Sequence, residues 1–294
     1  MPLRSMSHSV DARDMRELVH PIVVGYDGSA DSDRAVDWAV EAAQLRHCPI
    51  RLVAVLEDDA DPDWLPDRVE AARQLALAAI SVGADPELPV TVMKPRSEDP
   101  THALLRLASD ARLIVLGAHG HSVLDGALAG SVSQHLARHA ECPVVVSREA
   151  HDRSARRIVV GFDDSPGSQR ALEFAFDLAQ DTKAPLTVMH GWRSNPPGSV
   201  GLFMPMTPDI VDHAESERVA LRNAMREWCN KYPDVDVELS AVPLHPVRLL
   251  TDASDHAAMV VVGSRGRGAF TGLLLGSVSQ GVLHRARCTV VIAR

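Results

Sequence analysis

The sequence predicts an α/β protein built from two tandem, doubly wound domains, each containing a five-stranded parallel sheet. The chain has 294 residues, which suits two domains of ordinary size. Short apolar runs alternate with amphipathic stretches, as expected where helical crossovers join the strands of a parallel sheet. Several motifs also occur twice, at a spacing close to half the chain length, which marks a tandem repeat.

The first half shows this alternation element by element. Apolar runs predict five strands, at residues 22–26, 50–56, 90–93, 113–116 and 144–147. Between the first two runs, residues 32–46 place alanines and valines at helical spacing, so we expect a helix there. Near-continuous apolar strands are typical of a sheet that is covered by helices on both faces.

The second half repeats the first. VVGYDGS at residues 23–29 returns as VVGFDDS at residues 159–165, an offset of 136 residues. GSVSQ at residues 130–134 returns unchanged at residues 276–280, an offset of 146. The second copy therefore holds ten additional residues, and we expect them in the Pro/Gly-rich segment 195–208.

The repeat predicts a mobile tail at residues 1–20, domains at 21–148 and 157–294, and a polar linker at 149–156. The tail is charged and lacks the apolar segment of a signal peptide. No apolar run approaches the roughly 20 residues that cross a membrane. The four cysteines form no C-x-x-C pair, as expected of reduced thiols. We therefore expect a cytoplasmic protein without a membrane partner.

The charge balance excludes one broad class of function. The chain carries 30 Lys and Arg against 39 Asp and Glu, a net charge of −9. Phosphate backbones attract basic surfaces, so we expect no nucleic-acid partner. Aromatic residues make up only 4% of the chain, which also disfavours a base-stacking platform.

A glycine-rich pattern follows the fourth strand of each half. GAHG at residues 117–120 precedes GS at 130–131, and GSRG at 263–266 precedes GS at 276–277, with nine residues between each pair. Glycine allows close approach of an anion, and a helix N-terminus offers free N–H groups and a positive dipole end. The doubled pattern predicts two phosphate-binding loops, although turns after strands also use glycine for structural reasons. It is neither a Walker A loop nor the dinucleotide fingerprint.

One aspartate lies at the end of the predicted first strand of each half: Asp27 in the first half and Asp163 in the second. Either carboxylate could cap the helix that follows, and Ser29 and Ser165 could serve equally well as caps. Beside a phosphate loop, the same carboxylates could instead accept hydrogen bonds from a nucleoside.

These motifs resemble the universal stress protein family, in its ATP-binding, tandem-domain form. The resemblance covers residues 20–148 and 156–294, and the family's G-x-x-G-x₉-G-[ST] motif is complete in both copies. It implies a Rossmann-like strand order of 3-2-1-4-5 in each half, with ATP and Mg²⁺ bound between the first and fourth strands. The residues that it implies for binding are Gly25, Asp27, Val55, Gly117, Gly120, Gly130, Ser131, Val132 and Ser133 in the first half, and Gly161, Asp163, Gly191, Gly263, Gly266, Arg267, Gly276, Ser277, Val278 and Ser279 in the second.

The resemblance further implies a nucleotide-dependent regulator of stress response or dormancy. A slow ATPase or phosphotransfer enzyme and an interaction scaffold with empty sites remain alternatives. No set of nucleophile, base and orienting residue is recognisable, so catalysis ranks second. The apolar last strands, at residues 144–147 and 289–293, would lie at sheet edges unless they pair within the chain or with a second copy. We expect a homodimer of tandem chains.

The two halves differ around their loops. The second has Arg265 and Arg267 where the first has His119 and His121. Neutral imidazole carries no fixed charge, so we expect the first loop to hold phosphate more weakly. These histidines, together with three further residues nearby, leave a zinc site as a minor alternative. The three are His135, His139 and Cys142.

Overall fold

The computed structural model describes residues 20–55, 65–83, 85–96, 99–120, 130–192, 208–267 and 274–294. Its strands are β1 (Ile22–Gly25), β2 (Ile50–Val53), β3 (Val90–Met93), β4 (Leu113–Gly117), β5 (Val144–Ser147), β6 (Ile158–Gly161), β7 (Leu186–Gly191), β8 (Val237–Val242), β9 (Met259–Gly263) and β10 (Thr289–Ala293). Its helices are α1 (Ala30–Arg46), α2 (Leu65–Ser81), α3 (Pro100–Ala108), α4 (Ser131–His139), α5 (Pro166–Thr182), α6 (Pro208–Lys231), α7 (Pro246–Ala253) and α8 (Ser277–Arg285), with a 3₁₀ turn at Ser254–His256. None of the helices in these ranges is long and apolar enough to cross a membrane.

All ten strands form one sheet, in the order β3-β2-β1-β4-β5-β10-β9-β6-β7-β8. Each half therefore has the strand order 3-2-1-4-5 that the resemblance implied. The halves join where β5 and β10 pair antiparallel, with Val145 opposite Val291. The two apolar edges that the sequence predicted thus cover each other within the chain, and β3 and β8 form the outer edges of the sheet.

Helices cover both faces of the sheet, as predicted. Helices α1, α2, α5 and α6 pack over one apolar core, and α3, α4, α7 and α8 pack over the other. Neighbouring strand residues alternate between the two cores, as Val23 and Val24 do in β1. Burial on both faces explains why the inner strands β1, β4, β6 and β9 have no polar side chains.

Two arginines at the junction connect each half to a helix of the other. Arg148 follows β5, and its guanidinium donates to Ala286 O at 2.5 Å and to Leu283 O at the C-terminal end of α8. Arg294 follows β10 and donates to Ala137 O of α4 at 2.5 Å. Carbonyls at a helix C-terminus lack partners within the helix and favour a cation. The arginines therefore act as reciprocal caps across the junction.

Part of the additional length of the second half lies in its helix. Helix α6 has 24 residues, whereas α2, at the same place in the first half, has 17. The predicted insertion at 195–208 lies outside the described residues except for Pro208, where α6 begins. The predicted tail also lies outside them up to residue 19.

Candidate functional site

A cavity of about 330 Å³ lies at the C-terminal ends of β6 and β9 in the second half. The strand order reverses between these two strands, which is where doubly wound sheets bind ligands. Its volume falls in the range of small-molecule sites. All ten residues predicted for this half line the cavity, namely Gly161, Asp163, Gly191, Gly263, Gly266, Arg267, Gly276, Ser277, Val278 and Ser279.

An apolar wall completes the cavity, and sequence reasoning did not predict it. Met189 of β7, Val262 of β9, and Leu249 and Leu250 of α7 contribute to it. Helix α7 has an ordinary amphipathic sequence with Leu250 in the core, so no local motif distinguishes its cavity-lining residues from core residues.

The carboxylate of Asp163 ties two loops of this site together. Its Oδ1 accepts hydrogen bonds from the backbone N–H of Ser165 at 3.1 Å and from the Ser165 hydroxyl at 2.6 Å. Its Oδ2 accepts from the backbone N–H of Arg267 at 3.0 Å. Burial pulls the pKa of Asp163 upward, but these hydrogen bonds outweigh it and hold the pKa below its usual value. The site therefore contains a fixed, ionised acceptor.

Serines, and not these aspartates, cap the helices that follow β1 and β6. Ser29 Oγ accepts from the N–H of Ser32 at 3.1 Å, and Ser165 Oγ accepts from the N–H of Ser168 at 3.2 Å. Of the two roles left open by the sequence for the aspartates, helix capping is thus filled by their serine neighbours.

The glycines of the G-x-x-G turns are required by the fold itself. A Cβ atom on Gly117 would lie 2.7 Å from Cβ of Asp31, in the first turn of α1. On Gly120 it would lie 2.8 Å from Oδ2 of Asp27. Gly276 differs, because a Cβ there would come no closer than 3.4 Å to its neighbours, an ordinary contact. Its φ of −70° also suits any residue.

Helices α4 and α8 begin without a side-chain cap. Their N-cap residues are Gly130 and Gly276, neither of which supplies a side-chain hydrogen bond. Among the helices whose N-caps the structure describes, the other four have such a bond, from Ser29, Asp99, Ser165 and His245. The N-terminal N–H groups of α8 lie at the cavity wall, because Gly276 and Ser277 line it.

The loop geometry is repeated in the first half. Gly130 N donates to Ala118 O at 2.6 Å, as Gly276 N donates to Ser264 O at 2.7 Å. Ser133 Oγ donates to Gly117 O at 2.8 Å, which fixes α4 to the end of β4. The nine residues predicted for this half lie at or just after the ends of β1, β2 and β4 and at the start of α4. They are Gly25, Asp27, Val55, Gly117, Gly120, Gly130, Ser131, Val132 and Ser133.

The first half nevertheless carries a carboxylate that the second lacks. Asp31 Oδ2 lies 2.9 Å from the backbone N of His119 and 2.8 Å from its ring Nδ1, and Arg34 pairs with the same carboxylate. Burial pulls the pKa of Asp31 upward, but these contacts lower it overall. In the second half Gly167 and Arg265 occupy the equivalent positions. The His119 ring is therefore committed to a carboxylate; His121 lies outside the described residues.

The described residues of the zinc alternative, which exclude His121, do not form a metal site. His135 and His139 stack on each other with ring centres 4.1 Å apart. Burial raises the pKa of the Cys142 thiol to about 11, which disfavours the thiolate that zinc requires. Within the described ranges, no group of three His, Cys, Asp or Glu residues could hold a metal ion.

Comparison with known proteins identifies the class to which this fold and its doubled loop belong. The sequence matches the universal stress protein family over residues 19–148 and 154–294, and the chain therefore belongs to that family. It is 36% identical to universal stress protein Rv2005c of Mycobacterium tuberculosis, over 94% of this chain and 97% of the relative. It is 35% identical to universal stress protein Rv2623 of the same organism, over 93% and 96%.

Among solved structures, a universal stress protein from Archaeoglobus fulgidus shares the fold. Its TM-score is 0.65 at 19% identity, with 94% of this chain and 97% of that one covered.

Proposed function

We propose that the chain binds ATP at the Gly-Ser loop of each half, by which we mean Gly130 and Ser131 in the first half and Gly276 and Ser277 in the second. The observation that carries this proposal is the pair of uncapped helix N-termini on α4 and α8, the second of which lies at a cavity wall. Free N–H groups and a positive dipole end favour phosphate groups.

The choice of glycine at the two N-caps supports the same conclusion. Ser, Thr, Asp and Asn supply a side-chain acceptor at an N-cap and glycine does not, and the backbone at Gly276 would accept a Cβ atom without a close contact. Neither the backbone conformation nor the space for a Cβ atom therefore requires glycine at this position. Close approach of a ligand to the backbone supplies one.

In the second half, the rest of the cavity suits an adenosine group. The apolar wall formed by Met189, Leu249, Leu250 and Val262 would contact a base. Asp163 would accept hydrogen bonds from the nucleoside, since its carboxylate is ionised. Main-chain groups of Val55 and Gly191, at the ends of the second strands, would contribute in each half.

Mg²⁺ would enter with the triphosphate. It prefers oxygen ligands in an octahedron and commonly keeps several waters while bound to substrate phosphates. Asp163 is the one carboxylate lining the described part of the cavity, and it is engaged by Ser165 and Arg267. The phosphates and water would therefore supply most of the metal's ligands.

Binding is favoured over hydrolysis as the activity. Apart from Asp163, the described residues that line the cavity of the second half include no carboxylate, histidine, lysine or cysteine that could act as a general base. The hydroxyl of Ser279 donates to Gly263 O at 2.6 Å, which ties it to the strand. A regulator whose state depends on bound nucleotide fits this arrangement better than a phosphotransfer enzyme. We extend the proposal to control of stress survival or dormancy in the cytoplasm.

A homodimer remains part of the proposal, but it needs a different surface. The apolar edges that motivated it pair within the chain through β5 and β10. A second copy would have to use another face, such as the outer strands β3 and β8. Light scattering at micromolar concentration tests this directly, and a monomer mass would contradict the dimer without affecting the ATP proposal.

The first experiment is to identify what the purified protein carries. The protein is denatured, and the supernatant is analysed by anion-exchange chromatography. ATP supports the proposal. ADP alone favours a slow ATPase, and no nucleotide favours a scaffold with empty sites.

A matched pair of variants then tests the loops themselves. Gly130→Ala and Gly276→Ala each add one methyl group at equivalent places, so each serves as the control for the other. Calorimetric titration with ATP should show one high-affinity site in each variant and two in the wild type. Unchanged binding in both variants, with unchanged melting temperatures, would contradict the proposed location.

A further inference from the structure

A separate cavity, of about 510 Å³, lies where the two halves meet, and we call it the junction cavity. Its walls come from the C-terminal end of α1, the residues that precede β4 and β5, the α5 helix and the end of β10. No residue of either Gly-Ser loop lines it, so it is separate from the site described above. Its volume is sufficient for a small ligand.

Four arginines line this junction cavity, and the structure places them near one another. They are Arg46, Arg112, Arg170 and Arg294. Arg46 is half-buried, and its guanidinium carbon lies 4.8 Å from the centre of the Phe174 ring. Burial lowers the pKa of Arg46 and the charge of Arg112 lowers it further, while the charges of Asp181 and Asp177 act in the opposite direction. A cluster of guanidinium groups beside an open space attracts anions to that side of it.

The carboxylates of the same cavity do not pair with these arginines. Glu173, Asp177 and Asp181 line the α5 wall. Asp177 instead accepts a hydrogen bond from the hydroxyl of Tyr232 at 2.6 Å. Within the described part of the chain, none of the four arginines forms a salt bridge. Arg294 already donates to Ala137 O, so the guanidinium groups available to a ligand are those of Arg46, Arg112 and Arg170.

We propose that the junction cavity binds a small phosphate-bearing anion, held between Arg46 and Arg112. The planar guanidinium fork matches the oxygen geometry of phosphate, and two such forks from different segments would hold one phosphate group. The acidic α5 wall would accept hydrogen bonds from hydroxyl groups at the other end of the ligand. It would also repel an extended polyanion, so the expected ligand is a small phosphate monoester or phosphate itself.

Calorimetry with two probes, inorganic phosphate and glycerol 3-phosphate, tests this site in the full chain. Arg46→Gln and Arg112→Gln should each weaken binding by about tenfold or more, because each removes a charge-assisted contact. Arg218→Gln on α6 is the charge-matched control, since Arg218 pairs with Glu215 and does not line the cavity. Arg112 is exposed, so its replacement should leave the fold intact.

The outcomes separate this proposal from ATP binding. Tighter binding of glycerol 3-phosphate than of phosphate would identify a monoester ligand, and equal binding would identify the free ion. Either supports the site when both arginine variants lose affinity and the Gly130→Ala/Gly276→Ala double variant retains it. Absence of binding to the wild type at millimolar probe, equal affinity in the arginine variants, or loss in the glycine variant would overturn it.

Discussion

Asp163, which follows the first strand of the second half, contributes to the fold through its own hydrogen bonds. Asp163 Oδ2 accepts from the backbone N–H of Arg267, and Oδ1 accepts from Ser165. A Cβ atom on Gly266 would collide with this carboxylate. The aspartate and the second glycine of the G-x-x-G turn are therefore a matched pair. Replacing either should disturb the position of the other.

The acid sensitivity of the fold should depend on Asp163. A carboxylate whose folded pKa is lowered stabilises the fold above its unfolded pKa of about 3.9, and this contribution is lost as the pH falls through the folded pKa. Wild type should therefore exceed Asp163→Asn in unfolding free energy at pH 7, with the difference shrinking below about pH 4. Urea unfolding across this range measures it.

Asp164→Asn is the control for that measurement. Asp164 lies next to Asp163, but its ion pair with Arg267 at 3.2 Å is exposed, and such pairs contribute little. Its effect on the unfolding free energy should stay within about 0.5 kcal/mol. A difference between wild type and Asp163→Asn that does not change with pH would contradict the assigned role.

At the residue scale, the motif predicted positions but not partners. The family resemblance implied Asp163, Arg267, Ser277 and Ser279, which all line the cavity of the second half, but it did not imply Ser168, which lines it too. The commitment of His119 to Asp31 could not be predicted, since the two lie 88 residues apart and meet only through the fold. The first half should therefore not be treated as a weaker copy that differs by charge alone.

Among the elements, the N-termini of α4 and α8 differ from those of the other helices whose N-caps the structure describes. Helices α1 and α5, which follow the first strand of each half, begin at a serine that accepts from the third N–H of the turn. Helices α4 and α8 begin at glycine instead. In terms of helix stability this is a loss, since glycine supplies no side-chain acceptor. Such a loss is expected where stability is given up for ligand binding.

Gly276→Asp should change stability and ATP binding in opposite directions. Aspartate would cap α8 and interact favourably with its dipole, raising the unfolding free energy by a few tenths to about 1 kcal/mol. Its charge would repel phosphate and weaken ATP binding at that site by more than tenfold. Gly130→Asp is the matched variant in the first half. Denaturant unfolding measures the stability and calorimetry measures the affinity for ATP. If both increased, or both decreased, the proposed exchange of helix stability for ATP binding would be contradicted.

The elements themselves were largely predictable from sequence. Strands β3 and β5 have the predicted bounds, while β2 ends at Val53, three residues before its predicted end. It ends there because its pairing partners end there too, with Val53 opposite Gly25 and Met93. Apolar runs report burial, but the length of a strand depends on its neighbours. The apolar wall from α7 was missed for a related reason, because a cavity-lining face and a core face have the same periodicity.

For the whole molecule, the pairing of β5 with β10 joins the sheets of the two similar halves into one sheet. Strands β5 and β10 pair, and the reciprocal arginine caps add charged contacts on the helices that carry the Gly-Ser loops. Arg148 is half-buried, and burial lowers its pKa. Each loop helix is thus held at its C-terminal end by the opposite half.

Arg148→Met should destabilise the whole chain by about 1–3 kcal/mol, because carbonyls at the end of α8 lose a charged donor. Arg153→Met is the control within the linker, since Arg153 is 81% exposed and pairs only with Glu149 among the described residues. Its effect should stay within about 0.5 kcal/mol. Urea unfolding followed by two probes measures both variants. Equal effects of the two substitutions would contradict a structural role for the cap.

The two nucleotide sites should differ in affinity, with the second the tighter. The first loop has Asp31 beside it and an imidazole committed to that carboxylate, whereas the second has Gly167 and the exposed Arg265. One charge-assisted contact to phosphate corresponds to about tenfold in affinity or more. Titration with ATP of Gly130→Ala and Gly276→Ala, which isolate the second and first sites, measures the gap at pH 8 and pH 6.

An exchange of residues between the halves tests the cause of that gap. Asp31→Gly combined with His119→Arg gives the first loop the residues of the second and should narrow the difference. Arg265→His should weaken the second site alone. Part of the charge at the second loop is already engaged, because the Arg267 guanidinium lies 3.2 Å from Asp164, so Arg265 should account for most of the effect. Equal affinities at both pH values, unaltered by either exchange, would show that loop geometry, and not local charge, sets affinity at the two sites.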